Sequence, residues 1–248
     1  MFAPLLTAIP AARSVVMYVL VSLYVLAVAP PGLLIAIVSG RSWILYWLAR
    51  QGVRLGLMAV GIRYRVVGAE HVDRERASVY CVNHASNVEP PVIYMALAAV
   101  HPKLLVLYKA EIHRIPLLST VFDTAGFVPI QRKNREQSRE AIDTAAAALR
   151  AGNSFLIFPE GTRSRTGALL PFKKGGFVMA ARGQAAVVPM AILGTHEAMG
   201  RGSAIIRPVT ITLRIGAPID TASLDGTRPD ALLDATRAAM VDLLAAGH

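Results

Sequence analysis

Two short polar segments hold the side chains whose types and spacing could do chemistry. The first, residues 83–91, contains His84 and, five positions later, Glu89. A carboxylate can fix the tautomer of a nearby imidazole, and the other ring nitrogen can then take a proton from an attacking hydroxyl group. The same pair could also be a capping or core histidine beside a solvated glutamate. Taken alone, this segment leaves the choice open between a general base and a structural histidine.

The spacing of His84 and Glu89 constrains the local backbone. On a regular helix of about 3.6 residues per turn, positions five apart are separated by about 140° of arc. A contact between the two side chains therefore requires an irregular turn before any helix. The spacing also differs from that of a helical zinc pair, whose ligands lie four residues apart.

The second segment, residues 158–164, reads Phe-Pro-Glu-Gly-Thr-Arg-Ser. A glycine such as Gly161 lets backbone N–H groups approach an oxyanion closely, and the guanidinium of Arg163 can bind two phosphate oxygens. Gly-Thr-Arg alone is also an ordinary turn. Both segments follow short apolar runs, residues 78–82 and 154–158, which are predicted to be buried strands. Ligands of open α/β sheets bind at strand ends, so together the segments suggest a base and an anion clamp.

Four further stretches accompany these two segments. They are Lys-Ala-Glu at residues 109–111, Gly-Phe-Val-Pro-Ile-Gln-Arg at 126–132, Phe-Lys-Lys-Gly-Gly at 172–176 and an apolar run around a proline at 186–191. In this order, the motifs resemble those of the glycerolipid acyltransferase family, most closely the 1-acylglycerol-3-phosphate (lysophosphatidate) acyltransferases. The resemblance covers about residues 64–217. The ordered set is far more specific than any single motif.

The resemblance implies direct transfer of a fatty acyl group from an acyl thioester to the free hydroxyl of lysophosphatidic acid, which gives phosphatidic acid. His84, held by Glu89, would take the hydroxyl proton, and no acyl-enzyme is required. The donor would be acyl-CoA or acyl-ACP (acyl carrier protein), with no further cofactor. By the same resemblance, the residues around the acceptor phosphate are Lys109, Arg132, Glu160, Gly161, Thr162 and Arg163. Backbone N–H groups near Gly161 are candidate oxyanion donors.

One position departs from the family pattern, because Glu89 stands where the family usually has aspartate. Glutamate can fill the same orienting role, but its extra methylene requires a backbone adjustment of about 1 Å. A misplacement of about that size can cost on the order of a hundredfold in rate. Two other functions therefore stay open: an acyltransferase for another lyso-lipid or for glycerol 3-phosphate, and a membrane lipid-binding protein with impaired catalysis.

The N-terminal part of the chain is apolar. Residues 14–40 contain no charged side chain, and a helix of that length crosses a bilayer core of about 30 Å. Pro30 and Pro31 are predicted to interrupt it, which leaves a spanning helix with a break or a helical hairpin embedded in one leaflet. A removable signal peptide is a competing interpretation, but the apolar stretch is unusually long and lacks a clear cleavage site.

The next segment is predicted to be a helix at the membrane interface. Trp43, Trp47, Arg50 and Arg54 fall on one side of a helical wheel. The alternative is a basic rim on an internally packed helix. No acidic residue precedes Glu70, whereas six arginines do, and five of these follow the apolar stretch. By the positive-inside rule, the catalytic body is expected to face the cytoplasm at the cell inner membrane.

The net charge of +10 and the isoelectric point near 10.3 suit either nucleic acid or anionic lipid. The pattern favours membrane lipids and no nucleic acid, because the chain shows no RNA-type aromatic motif and the excess charge begins beside the apolar segment. The basic cluster at residues 132–135 could touch phosphate, chiefly through Arg132, or be a solvated helix start.

Neither a thiol nucleophile nor a metal is expected. Cys81, the only cysteine, lies within an apolar run and is predicted to be a small buried hydrophobe. His101, His113 and His196 lack ligand-like spacing with cysteines or carboxylates, so structural or solvated roles are predicted for them.

Apolar runs and helix-forming stretches alternate along the rest of the chain. Asn134 is a candidate cap for a helix that ends near Gly152, and a closing helix is predicted over residues 228–244. Further strands are predicted over residues 104–107, 187–192 and 209–215. This alternation implies an α/β fold with a mostly parallel central sheet covered by helices. The predicted division is a membrane-embedded or interfacial helical segment at residues 1–62 and a catalytic domain at residues 63–248.

Overall fold

The computed structural model describes residues 3–115, 118–131, 134–221 and 229–247. Within these ranges, eight α-helices surround one seven-stranded sheet. The helices are α1 (Ala3–Ser39), α2 (Trp43–Val60), α3 (Glu89–Ala96), α4 (Leu118–Thr124), α5 (Arg135–Arg150), α6 (Gly175–Gly183), α7 (Thr195–Ala198) and α8 (Pro229–Ala245). The strands are β1 (Arg63–Val67), β2 (Ser78–Val82), β3 (Leu104–Lys109), β4 (Val128–Ile130), β5 (Ser154–Ile157), β6 (Ala186–Leu193) and β7 (Thr210–Ile215).

The sheet is mostly parallel, as predicted. Its strand order is β1-β7-β6-β2-β5-β3-β4, and every neighbouring pair is parallel except β6 and β7. The strands β1 and β7 therefore run opposite to the other five. Because β2, β5 and β3 are parallel neighbours, the segments that follow them emerge at the same edge of the sheet.

The two strands at the centre of the sheet, β2 and β5, are buried along their whole length. Their side chains alternate between two apolar clusters, as expected for strands covered on both faces. Tyr80 and Val82 pack with residues of α1, α2 and α3, whereas Val79 and Cys81 pack with residues of α5, α6 and α8. Burial raises the pKa of the Cys81 thiol, which disfavours the nucleophilic thiolate. Cys81 is thus a core residue, as the sequence predicts.

The predicted helix and strand positions agree closely with the structure. Asn134 caps α5, since its side-chain oxygen accepts hydrogen bonds from the backbone N–H groups of Glu136 and Gln137 at 3.0 and 3.2 Å. After α5, Gly152 adopts a left-handed φ of +90°, a conformation that favours glycine at helix ends. The closing helix α8 begins at Pro229, and Arg228 lies outside the described residues.

The helices α1 and α2 form an antiparallel hairpin. Three positions of α1, taken in order from its C-terminal end backwards, contact three positions of α2. The pairs are Gly32 with Leu48, Tyr24 with Gly52, and Val21 with Gly56. An added Cβ atom at Gly52 would lie 2.9 Å from the Tyr24 ring. Glycine at such positions lets two helices approach closely.

The predicted interruption of α1 at Pro30 and Pro31 is not observed, because the helix continues through both residues to Ser39. Each proline removes one intrahelical hydrogen bond, and the packing of α1 against α2 offsets that loss. By length and composition, Ala8–Ser39 could cross a membrane, with a mean hydropathy of 2.3 and mostly exposed side chains. Whether the hairpin spans the bilayer or enters one leaflet stays a prediction.

The predicted interfacial face of α2 lies on the protein surface. Trp43 and Trp47 are 51% and 54% exposed, and Arg50 and Arg54 are also exposed. Exposed tryptophan and arginine on one helix face are typical of a membrane interface. The opposite face of α2 is packed internally, with Tyr46, Leu57 and Val60 buried, so contact of the exposed face with a membrane stays a prediction.

An aromatic cluster joins the hairpin to the sheet. The hydroxyl of Tyr46 in α2 donates to the Leu104 carbonyl at 3.0 Å, and the hydroxyl of Tyr94 in α3 donates to the Tyr46 carbonyl at 2.8 Å. The ring of His101 packs against both tyrosines, with centroids 5.0 and 4.3 Å away. Burial, and secondarily the charge of Arg50, lower the pKa of His101 from 6.5 to about 4.

The lowered pKa of His101 predicts that the folded protein is less stable in acid. Between pH 6.5 and about 4, the unfolded chain binds a proton at His101 that the folded protein does not bind, so stability falls as the pH falls through this window. We expect His101→Phe to flatten that decline, because phenylalanine keeps the ring contacts without a titrating group. Thermal unfolding in detergent at a series of pH values measures this. Parallel declines for wild type and variant would contradict it.

Candidate active site

His84 and Glu89 form a close pair directly after β2. The Nδ1 atom of His84 lies 2.5 Å from Oε2 of Glu89, whose side chain is fully buried, whereas the histidine side chain is 18% exposed. Residues 84–88 are not helical, and α3 begins at Glu89 itself. The carboxylate can therefore fold back onto the preceding loop. The irregular turn that the spacing requires is present.

The protonation pattern of this pair suits a general base. An ionised carboxylate only accepts hydrogen bonds, so Nδ1 of His84 carries the hydrogen and Nε2 keeps its lone pair. Among the described residues, Glu89 is the hydrogen-bond partner of the His84 ring, and the contact is made through Nδ1. The imidazole ring stacks on Phe158, with centroids 4.0 Å apart and planes 23° apart. Stacking and the Glu89 contact together fix the direction of Nε2.

The second oxygen of Glu89 is also fully engaged. Its Oε1 atom accepts hydrogen bonds from the backbone N–H groups of Ala85 at 2.7 Å and Ser86 at 2.8 Å, and from the hydroxyl of Thr195 at 2.8 Å. The loop thus wraps around the carboxylate of Glu89, and this arrangement accommodates the longer side chain of glutamate beside His84. No local pattern in the sequence indicates Thr195, which lies 106 positions after Glu89.

Neighbouring strands hold the loop that carries His84. The side-chain amide of Asn83 donates to the Ile192 carbonyl at 3.0 Å, and its oxygen accepts from the Ile192 N–H at 2.8 Å. These contacts fasten the end of β2 to β6. On the other side, the Ser164 N–H donates to the His84 carbonyl at 2.7 Å, which fastens the loop to the segment after β5.

Glu160, which the resemblance assigns to the phosphate pocket, points into the protein. Its two oxygens accept hydrogen bonds from the backbone N–H groups of His84 at 2.7 Å and Leu170 at 2.8 Å. Burial raises its pKa, although these N–H donors oppose that rise. A carboxylate also repels phosphate. The contacts therefore make Glu160 a brace between the two polar segments, so that it shapes the pocket without facing an anion.

The turn after β5 presents Gly161, Thr162 and Arg163 near the surface. Gly161 has a left-handed φ of +66°, and an added Cβ atom would lie 2.9 Å from the Lys173 side chain. Arg163 is half-buried, and its carbonyl accepts a hydrogen bond from the Arg201 guanidinium at 2.8 Å. Lys173 and Arg201 thus add positive charge beside the predicted phosphate residues. The Phe-Lys-Lys-Gly-Gly stretch was the sequence signal for Lys173.

Lys109 ends β3 at the same edge of the sheet. Its side chain is 58% exposed and lies 3.4 Å from Glu111. Since β2, β5 and β3 are parallel neighbours, the structure brings His84, the turn around Arg163 and Lys109 to one edge. Arg132 lies outside the described residues, so its predicted role in phosphate binding stays a prediction.

Two cavities meet at Phe158, the residue on which His84 stacks. The larger has a volume of about 430 Å³ and an almost entirely apolar wall, which includes Pro91, Tyr94 and Phe122. The smaller, of about 250 Å³, reaches Gly161 and Lys173. The residue on which His84 stacks thus borders both an apolar space suited to a hydrocarbon chain and a space that reaches a basic turn suited to an anion.

Comparison with known proteins agrees with this arrangement. Residues 63–193, just over half of the chain, match the family model described as Acyltransferase. The chain belongs to the acyltransferase family. The resemblance read from the motifs is therefore confirmed.

Relatives of this acyltransferase include plant and bacterial proteins. The chain is 36% identical over 162 residues to 1-acyl-sn-glycerol-3-phosphate acyltransferase of Limnanthes douglasii, which covers 65% of the chain and 56% of that relative. It is 34% identical over 168 residues to the protein of the same name from Cocos nucifera, with 67% and 54% coverage. The chain thus spans just over half the length of these relatives.

A solved structure shares the fold. The crystal structure of the 1-acyl-sn-glycerophosphate (LPA) acyltransferase PlsC from Thermotoga maritima is similar with a TM-score of 0.72 and 23% identity. The similarity covers 95% of this acyltransferase and 99% of that chain. The α1–α2 hairpin therefore belongs to the shared architecture along with the sheet.

The brace formed by Glu160 can be tested by replacing it with glutamine. In Glu160→Gln, the amide NH₂ group faces one of the two backbone N–H donors and cannot accept its hydrogen. We expect a loss of about 1–3 kcal/mol in stability and at least about a tenfold fall in activity through misplacement of the His84 loop. Thermal unfolding and initial rates measure both effects. Glu140→Gln on the exposed face of α5 is the control, and equal behaviour of the two variants would contradict the role as a brace.

Proposed function

We propose that this protein transfers a fatty acyl group from an acyl thioester to the free hydroxyl of lysophosphatidic acid, giving phosphatidic acid in phospholipid synthesis. One observation carries the proposal: His84, oriented by Glu89, stacks on Phe158, which lines both an apolar cavity and a second cavity that reaches the basic turn. The reaction requires these three features together, namely a base, a site for a hydrocarbon chain and a site for phosphate.

The proposed reaction proceeds by direct attack. Nε2 of His84 takes the proton of the glycerol hydroxyl, and the oxygen attacks the thioester carbonyl. The tetrahedral intermediate collapses, the carbon–sulfur bond breaks, and the departing thiolate receives the proton from His84. Backbone N–H groups near Gly161 stabilise the oxyanion.

No covalent acyl-enzyme is needed in this mechanism. Two candidate nucleophiles near His84 are enclosed by the protein, and the first, Cys81, is fully buried in a strand. Ser86 is also fully buried, and its hydroxyl donates to the Met199 carbonyl at 2.7 Å. Both groups are thus committed to the protein interior, which favours direct transfer.

Charge and exposure support the proposed substrate positions. The acceptor phosphate lies against Arg163, Gly161, Thr162 and Lys109, with Arg132 as the further predicted contact, because a guanidinium and an ammonium ion both bind phosphate well. The acyl chain occupies the cavity beside Phe158. The donor is acyl-CoA or acyl-ACP, since a chain of net charge +10 attracts either acidic donor.

The proposed location is the cytoplasmic side of the cell inner membrane. The apolar α1 and the exposed tryptophan and arginine face of α2 support contact with the bilayer. The positions of the early arginines support a cytoplasmic catalytic body. Membrane lipids are therefore both the environment and the source of the acceptor.

The first test is acyl transfer by the detergent-purified protein. Labelled acyl-CoA and acyl-ACP are offered separately with lysophosphatidic acid, glycerol 3-phosphate and other lyso-lipids as acceptors. We expect phosphatidic acid from the wild type and a loss of at least about a thousandfold in His84→Ala, which removes the base. His71→Ala is the control, because His71 follows β1 and lies toward the opposite edge of the sheet. Product from another acceptor alone would contradict the proposed substrate.

A second test separates an enzyme from a lipid-binding protein with impaired catalysis. The loop is built around a glutamate, so Glu89→Asp withdraws the carboxylate by about one carbon–carbon bond, ~1.5 Å. We expect this change to lower kcat by about tenfold to a hundredfold. Rates with saturating donor and acceptor measure it. Activity that appears or rises in Glu89→Asp would instead support the impaired protein.

A further inference from the structure

A buried threonine contacts the catalytic pair from a different part of the fold. Thr195 begins α7 directly after Gly194, whose φ of +85° turns the chain away from β6. Its side chain is almost fully buried, and its hydroxyl donates to Oε1 of Glu89 at 2.8 Å. The donor and the acceptor are thus both shielded from water, where a hydrogen bond to a charged group is strong.

This contact differs in kind from the other two on the same oxygen. Ala85 and Ser86 belong to the loop that carries His84, so their N–H groups move with that loop. Thr195 instead follows β6 and ties the carboxylate to the sheet. Among the contacts of the described residues, it is the one that joins Glu89 to another element of the fold.

The segment around Thr195 holds the whole catalytic loop at three points. Ile192 pairs with the amide of Asn83, Thr195 pairs with Glu89, and the Met199 carbonyl accepts from Ser86. The first and third contacts fix the two flanks of the loop. The middle one acts on the carboxylate that orients the base.

We propose that Thr195 is a positioning residue for acyl transfer. Its hydroxyl holds Glu89 so that Oε2 faces Nδ1 of His84. With three donors on Oε1, the other oxygen remains for the imidazole. Thr195 itself touches neither substrate nor reacting atoms. This inference rests on the proposed function.

Removing the hydroxyl has two separable effects. The carboxylate gains freedom to rotate, so Nε2 is less well directed and kcat falls. The carboxylate also keeps more of its negative charge, which stabilises the protonated imidazole. The acid limb of the rate profile then moves to higher pH. Within the described part of the chain, the charged groups shown to interact with His84 are Glu89 and Glu160, and neither is altered.

The experiment compares Thr195→Val, Thr195→Ala and Thr195→Ser with wild type, each as the whole 248-residue chain in detergent. Kinetics with the acyl thioester and lysophosphatidic acid are followed from pH 5 to pH 9. We expect the valine and alanine variants to lower kcat by about tenfold to a hundredfold, with little change in the KM for the acyl thioester or for lysophosphatidic acid. The acid limb of their pH–rate profile should lie at higher pH than that of wild type. Serine, which keeps the hydroxyl, should retain most of the activity.

The matched control is Thr236→Val, because Thr236 is also fully buried and its hydroxyl donates within α8 to the Leu232 carbonyl at 2.7 Å. Wild-type kcat and pH profile in both Thr195→Val and Thr195→Ala would overturn the proposal. Equal losses in the serine variant, together with a lowered unfolding temperature, would also overturn it, because they would indicate packing alone.

A readout without turnover separates this inference from the proposed function. Nitrogen-15 spectra of labelled histidines, with His84→Ala used for assignment, follow the imidazole of His84 as the pH changes. We expect the His84 nitrogen-15 signals to change with pH differently in Thr195→Val than in wild type. In Thr236→Val, we expect their pH dependence to match that of wild type. If wild type makes no product from any donor and acceptor, the proposed function fails. Identical His84 signals in wild type and Thr195→Val would overturn the positioning role whether or not product forms.

Discussion

The hydrogen bond between His84 and a fully buried Glu89 is the constraint on which the site depends. Burying a charged carboxylate away from water costs free energy unless hydrogen-bond donors surround it. Two backbone N–H groups, one hydroxyl and the imidazole supply them here. The loop before α3 cannot be helical, because its N–H groups turn toward the carboxylate. The irregular backbone at the end of β2 is thus a consequence of burying this one charge.

The parallel centre of the sheet makes that loop rigid. The strand β2 lies between β6 and β5, and the segment after each neighbour contacts the loop. On the β6 side, Ile192 and Thr195 hold Asn83 and Glu89. On the β5 side, Glu160 accepts the N–H of His84. The Ser164 N–H donates to the His84 carbonyl, so both backbone groups of His84 are paired, and its ring is held by Glu89 and by stacking on Phe158.

Local patterns and long-range contacts explain what the sequence could and could not predict. The buried strands, the Asn134 cap and the pairing of His84 with Glu89 depend on residues close together in the chain, and all were predicted. The contact of Thr195 with Glu89 joins residues 106 positions apart, and no local pattern indicates it. The inward direction of Glu160 and the continuity of α1 through Pro30 depend on tertiary packing, which outweighs local preference.

Tertiary packing also joins the N-terminal hairpin to the rest of the fold. A division of the chain near residue 62 follows hydropathy, yet contacts cross it throughout. The backbone N–H of Ile206 donates to the hydroxyl of Ser14 in α1, and the hydroxyl of Tyr46 in α2 donates to the Leu104 carbonyl. One face of α2 exposes Trp47, while another lines the apolar cavity that ends at Phe158. A single helix therefore forms both the surface suited to lipid and part of the wall of the cavity at Phe158, the residue on which His84 stacks.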